Sequence, residues 1–179
     1  MEISKGLITG IPYLPSPHYN ERPTDTPIDM IVLHNISLPK GQFGNDYVTD
    51  LFLNQLDFRA HPSFNSLKNL KLSAHLFLRR GGEILQFVPF HKRAWHAGVS
   101  QFGGKPDCNH FSIGIELEGC DDMAYMDAQY EALQQLVPCL MTHYPAITRE
   151  RIVGHSHIAP ERKTDPGEAF DWQRLWSYL

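Results

Sequence analysis

The feature that most restricts the fold is a nearly unbroken apolar run that ends in an imidazole, Asp29-Met-Ile-Val-Leu-His34. Consecutive apolar residues on a strand point to opposite sides, so both faces need cover, which is the signature of a central strand in a layered α/β protein. His34 then lies at the C-terminal end of that strand. A second strand, Ser112-Ile-Gly-Ile-Glu-Leu-Glu118, alternates: Ile113, Ile115 and Leu117 share one face, and Ser112, Gly114, Glu116 and Glu118 share the other. The segment Ala74–Val88 reads as two strands joined at Gly81-Gly82, a dipeptide that tolerates the positive φ of a tight hairpin turn. Arg151-Ile-Val-Gly-His155 reads as one more short strand.

Helical spacing appears between these strands. Tyr47–Gln55, with apolar residues at 47, 48, 51, 52 and 56, predicts a short helix. Asp127–His143 predicts a long one, with Asp127 as N-cap, a stripe through Tyr130, Leu133, Leu136, Val137, Leu140 and Met141, and a kink at Pro138. Phe170–Tyr178 predicts a closing helix. Residues 1–27 hold five of the 13 prolines and read as an extended arm packed on a domain spanning residues 28–179. The chain has 179 residues, no internal repeat and no linker, so we expect a single domain of α/β (α+β) class built on one sheet.

Composition removes several function classes. A net charge of −4 and a pI near 6.2 argue against a nucleic-acid surface, which needs clustered Lys and Arg. The three cysteines form no metal-ligand spacing and no disulfide framework. No apolar segment has the length of a signal-peptide core or a membrane span, which leads to the expectation of a cytoplasmic protein without membrane or nucleic-acid partners.

Among the 10 histidines, position selects two. His34 ends an apolar strand, and His155 and Asp165 flank the polar loop 156–164, so the three can converge at one edge of the sheet. Two imidazoles and a carboxylate suit Zn2+, and three protein ligands leave a fourth position for water, as in catalytic sites.

The segments Ile31-Val-Leu-His-Asn-Ile-Ser37, Ser73-Ala-His75, Arg93-Ala-Trp-His-Ala-Gly98, Ser112–Gly119 and Gly154–Gly167 resemble, in that order, the zinc N-acetylmuramoyl-L-alanine amidases. Within that family they are most similar to the cytosolic amidases that act on 1,6-anhydromuropeptides; wider relatives include peptidoglycan recognition proteins. The resemblance spans about residues 15–172. It implies a central mixed β-sheet flanked by helices, zinc on His34, His155 and Asp165, and the remaining chemistry on Glu116 and Lys163. Periodicity gives Glu118 the same facing as Glu116, and the choice between them comes from the resemblance alone.

Substrate contacts are expected from four residues. Asn35 adjoins the first ligand, Trp95 can pack on a sugar, on the stem peptide or in the core, Arg162 can meet a carboxylate, and Lys71 can contact the stem peptide. Close relatives carry arginines where this chain has Lys71 and Asp107; lysine lacks the planar fork and aspartate reverses the charge. Lys105 is placed to compensate for Asp107, and His157 is expected to face solvent or support a ligand from behind. The reaction expected is zinc-dependent hydrolysis of the amide between the lactyl group and L-alanine, by a monomer acting on small anhydromuropeptides. The rivals are a non-catalytic peptidoglycan-binding module and an exported amidase acting on intact wall.

Overall fold

The computed structural model describes residues 1–179. Its centre is a five-stranded mixed sheet made of β1 (Met30–Ile36), β2 (Leu76–Leu78), β3 (Ile84–Gln86), β4 (Ser112–Glu118) and β5 (Ile152–Gly154). The spatial order is β5-β1-β4-β2-β3, with four parallel strands and β3 antiparallel at one edge. β2 and β3 form the expected hairpin, and Gly82 in its turn has φ +86°.

Four helices complete the element order: α1 (Tyr47–Phe52), α2 (Asp127–His143), α3 (His155–Ile158) and α4 (Trp172–Trp176). Several expected boundaries shift. Met126 caps α2, its amide donating to Gln129 Oε1 at 3.1 Å, so Asp127 is the first helical residue. The helix expected over Tyr47–Gln55 stops at Phe52, and the closing helix is confined to Trp172–Trp176. β5 ends at Gly154, and His155 opens α3 instead of ending the strand.

Apolar alternation decides how the layers assemble. Ile31, Leu33, Ile113, Ile115 and Leu117 pack with Tyr130, Leu133, Leu136, Val137 and Leu140 of α2 in one continuous core. On the opposite face Met30 and Val32 meet Ala97, Cys108, Phe111, Val153 and Ile158. Farther along, Phe77 and Leu85 meet Val48, Leu51 and Phe52 of α1 and its flanking segments. All seven residues of β4 are buried, so its polar face is covered by protein and not by solvent. Both faces of a parallel sheet need cover, and here the loop after β3 supplies it.

The proline-rich arm carries short ladders of its own. Ile3–Ser4 pairs with Leu7–Ile8, and Tyr19–Glu21 pairs antiparallel with Lys92–Ala94. Arg22 pins this arm to the sheet: its guanidinium donates to the carbonyls of Phe90, Asn109, His110 and Ser112 at 2.8–3.1 Å. Burial holds its pKa down to about 10, still far above neutrality, so it remains a cation solvated by carbonyls.

Arg22→Met removes every one of these donors and leaves buried carbonyls unpaired, at an expected cost of about 2–4 kcal/mol. Arg22→Lys should recover little, because an ammonium cannot span the fork. Urea denaturation of the three proteins checks this; equal midpoints for the wild type and Arg22→Met would remove the proposed anchor.

Candidate active site

The register of the central pair creates the site. His34 of β1 lies opposite Glu116 of β4, and parallel partners project to the same side. Gly154 of β5 pairs with Leu33, so His155, one residue on, arrives beside His34. The three side chains therefore meet outside the C-terminal ends of parallel strands, where open α/β sheets bind ligands.

Asp165 reaches this edge from the loop after α3. Its Oδ2 is 3.1 Å from both His34 Nδ1 and His155 Nδ1, and the two ring nitrogens are 2.9 Å apart. These three side chains could hold a metal ion. A tetrahedral zinc with bonds of about 2.0–2.2 Å needs donor atoms roughly 3.3–3.6 Å apart, so small outward movements of these side chains would make the spacing fit. His155 Nε2 lies 3.0 Å from Ala97 O, which accepts its N–H and leaves Nδ1 as a bare lone pair. Burial pushes the His34 pKa down to about 4, against the pull of Asp165. Burial raises the Asp165 carboxyl, but the His155 and His34 rings beside it outweigh that effect and hold it below the usual carboxylate range.

The structure separates the two strand carboxylates. Glu118 accepts from Gly44 N at 2.6 Å and Arg80 N at 3.0 Å, so both its oxygens tie loops to the sheet. Glu116 is 8 % exposed, and its Oε2 has no hydrogen-bond partner. Burial drives its pKa well above 4.5, Asp165 adds to the rise and Lys163 opposes it. Lys163 is half-buried in the Asp165 loop, and its charge acts on both Glu116 and His34.

The remaining expected residues divide. Asn35 donates from Nδ2 to Asp121 Oδ1 at 2.8 Å and Pro166 O at 3.0 Å, which fastens the Asp165 loop to β1. Arg162 donates from Nη2 to Ala97 O and Val99 O, both at 2.8 Å. Trp95 is half-buried; its Nε1 donates to Asn20 Oδ1 at 2.7 Å, and its ring stacks on His18. Lys71 is exposed and makes no ion pair. Lys105 sits over the Phe111 ring and does not pair with Asp107, contrary to the compensation expected. Arg93 takes that place, donating to Asp107 Oδ2 at 2.6 Å, with His110 Nε2 at 3.1 Å. His157 is exposed, and its Nδ1 accepts from Gly154 N at the start of α3.

Sequence reasoning passed over Arg93, His96 and Asp121. Arg93 and His96 lie within the Arg93–Gly98 segment, but their function depends on partners distant in sequence. Asp121 accepts from Asn35 and from Thr164 Oγ1 at 2.6 Å and so holds the loop that carries Asp165.

The Glu116 carboxyl generates a stability prediction for the metal-free protein. Its folded pKa is raised above the 4.5 of an unburied glutamate, so the native state keeps a proton that the unfolded chain has released. Wild-type stability is therefore lost as pH rises from 4.5 through the folded pKa, whereas Glu116→Gln carries no such penalty. Chemical denaturation across pH should show Glu116→Gln gaining on the wild type above pH 4.5, with no widening below it. A constant difference at every pH would refute the shift.

Comparison with known proteins agrees with this geometry. The family model described as N-acetylmuramoyl-L-alanine amidase matches residues 24–168. The 1,6-anhydro-N-acetylmuramyl-L-alanine amidase AmpD of Escherichia coli (strain K12) is 52% identical over 175 residues, covering 98% of this chain and 95% of that protein. The crystal structure of a selenomethionine AmpD derivative superposes with a TM-score of 0.97 at 51% identity, covering 100% of this chain and 99% of the other. The E. coli amidase AmiD, solved with anhydro-N-acetylmuramic acid-L-Ala-D-gamma-Glu-L-Lys, has a TM-score of 0.63 at 30% identity over 89% of this chain and 60% of its own. With the fold, the convergent His-His-Asp set and the family match in agreement, this chain belongs to the N-acetylmuramoyl-L-alanine amidases.

Proposed function

We propose that the chain hydrolyses the amide between the lactyl group of 1,6-anhydro-N-acetylmuramic acid and L-alanine, as a zinc enzyme of cytoplasmic peptidoglycan recycling. The observation that carries this is three donor atoms from distant parts of the chain within 3.1 Å of one another, beside a buried glutamate oxygen with no partner. Catalysis is assigned to residues 28–179, with residues 1–27 as a clamp across the sheet.

His34 Nδ1, His155 Nδ1 and Asp165 Oδ2 would hold the metal. Zinc there supplies Lewis acidity that activates water near neutral pH and polarises a carbonyl. Glu116 Oε2 accepts the proton of the attacking water as its oxygen bonds to the lactyl carbonyl carbon. The same carboxyl then delivers that proton to the L-alanine nitrogen as the C–N bond breaks. The Lys163 ammonium, half-buried in the Asp165 loop, faces the negative charge that grows on the carbonyl oxygen and stabilises it.

Open clefts border the Gly98–Ser100 loop on both sides, one lined by Arg93, Asp107 and Asn109, the other by Pro160, Glu161 and Arg162. They suit one sugar and a short charged stem peptide; of the four expected contacts Arg162 lines one of these clefts and Asn35 lines a separate one with Lys40 and Asp121, while Trp95 and Lys71 are offered from outside them. AmiD, solved with an anhydromuropeptide, supports this substrate class.

Purified protein should contain one zinc per chain and release free peptide from a defined anhydromuropeptide, faster than it solubilises intact sacculus. Elemental analysis and product mass spectrometry read the two arms. Metal-free protein that zinc does not reactivate contradicts the metal assignment, and equal cleavage of sacculus contradicts the recycling role.

Glu116→Ala should fold, keep its zinc and lose roughly 10²–10⁴ in rate, the range for loss of a positioned general base. Glu118→Ala should instead lose about 1–3 kcal/mol of stability, because two amides lose their acceptor, with much less effect on the rate of the folded fraction. Equal rate losses in the two variants, each corrected for the folded fraction, would reverse the assignment.

A further inference from the structure

His96 is buried beside the proposed metal site, and no step above uses it. Its Nδ1 lies 2.9 Å from His34 Nε2, the nitrogen of His34 that faces away from Asp165. Its Nε2 lies 3.3 Å from Ser112 Oγ. Ser112 fixes the direction of protons along this row. The Ser112 hydroxyl is 2.6 Å from Cys108 O, and a carbonyl can only accept, so the single hydroxyl proton is committed there. Ser112 Oγ must then accept from His96 Nε2–H. A neutral imidazole protonated on Nε2 offers a bare Nδ1, so the proton shared with His34 belongs to His34 Nε2. His34 is left with its lone pair on Nδ1, aimed at His155 Nδ1 and Asp165 Oδ2.

Asp165 pulls the other way. Its Oδ2, 3.1 Å from His34 Nδ1, is a charged acceptor that favours a proton on the very nitrogen a metal would need. The acceptor on His96 opposes this, and the fold keeps that acceptor in place. A Cβ at Gly114 would lie 2.4 Å from His96 Cγ, so the ring occupies space that only a glycine in mid-strand leaves free. Asn109 Oδ1 accepts from the amides of His96 at 3.0 Å and Ala97 at 2.8 Å, fixing the backbone that carries the ring.

We infer that His96 is a positioning residue: it holds His34 in the Nε2–H tautomer and so keeps Nδ1 open for the metal. This rests on the zinc reading above. Zinc affinity is to be measured by competition with a chromophoric chelator for the wild type, His96→Leu and His96→Asn. Asparagine places an amide oxygen near the position of Nδ1 and keeps the acceptor; leucine fills the space without one. His96→Leu should bind zinc roughly 10–100-fold more weakly, the range for loss of a support behind a metal ligand, and His96→Asn should stay within about threefold of the wild type. Failure of the wild type to bind zinc overturns the underlying site assignment. If the wild type binds and His96→Leu matches it, or both variants weaken equally, the tautomer role is overturned while the zinc site stands. Should the leucine protein not fold, long-range 1H–15N NMR of the metal-free wild type decides: His34 protonated on Nε2 is expected, and a predominant Nδ1–H form overturns the inference.

Discussion

Everything at the candidate site depends on the parallel pairing of β1 with β4. Seven residue pairs run in register from Met30 and Ser112 to Ile36 and Glu118. Because parallel partners project to the same side, this register puts His34 and Glu116 on one face and sends Leu33 and Ile115 into the core under α2. A slip of either strand by one residue would drive an imidazole or a carboxylate into that core and expel large apolar side chains from it. Hydrophobic sorting therefore sets the geometry of the polar site.

The polar face of β4 is itself buried, so each group on it needs a partner from the chain. Most have one. Glu118 collects two loop amides, and Ser112 donates to Cys108 O. His75, from the segment before β2, accepts the Gly114 amide on Nδ1 and donates from Nε2 to Lys92 O. The exception on this face is Glu116, one of whose oxygens has no partner, close enough to Asp165 and Lys163 to feel both charges. Local inconsistency of this kind collects where a chain does chemistry.

Polar ties between distant segments keep those groups in place. Arg22 joins the N-terminal arm to the carbonyls around β4, and Arg162 fastens the loop at Ala97 and Val99. Asp121 gathers Asn35 and Thr164, and Gly167 packs so tightly on it that a Cβ there would lie 2.1 Å from Asp121 Cα. The loop bearing Asp165 is thus held from β1 and from the segment after β4 together. Two residues expected to face substrate, Asn35 and Arg162, spend most of their donors on this framework.

Local periodicity was enough to read the strands at Met30–His34 and Ser112–Glu118, the hairpin at Gly81-Gly82 and the long helix ending at His143, and it placed His34 near the end of its strand, which runs two residues further, to Ile36. These follow from a period of 2.0 or 3.6 residues and from turn chemistry, which act over a few neighbours. Ordered motifs likewise carried the family. Periodicity could not distinguish Glu116 from Glu118, because both point to the same face; the structure shows Gly44 and Arg80 occupying both Glu118 oxygens while one Glu116 oxygen has no partner. Nor could it pair Asp107 with Arg93 across 14 positions, or seat His96 against Gly114 and His34 across 62. The sequence by itself determined which segments become strands and helices and which residues could bear chemistry. Only the tertiary structure decided which polar atoms were already satisfied and which remained free, because a hydrogen-bond partner is set by proximity in space between segments whose separation along the chain no local pattern encodes.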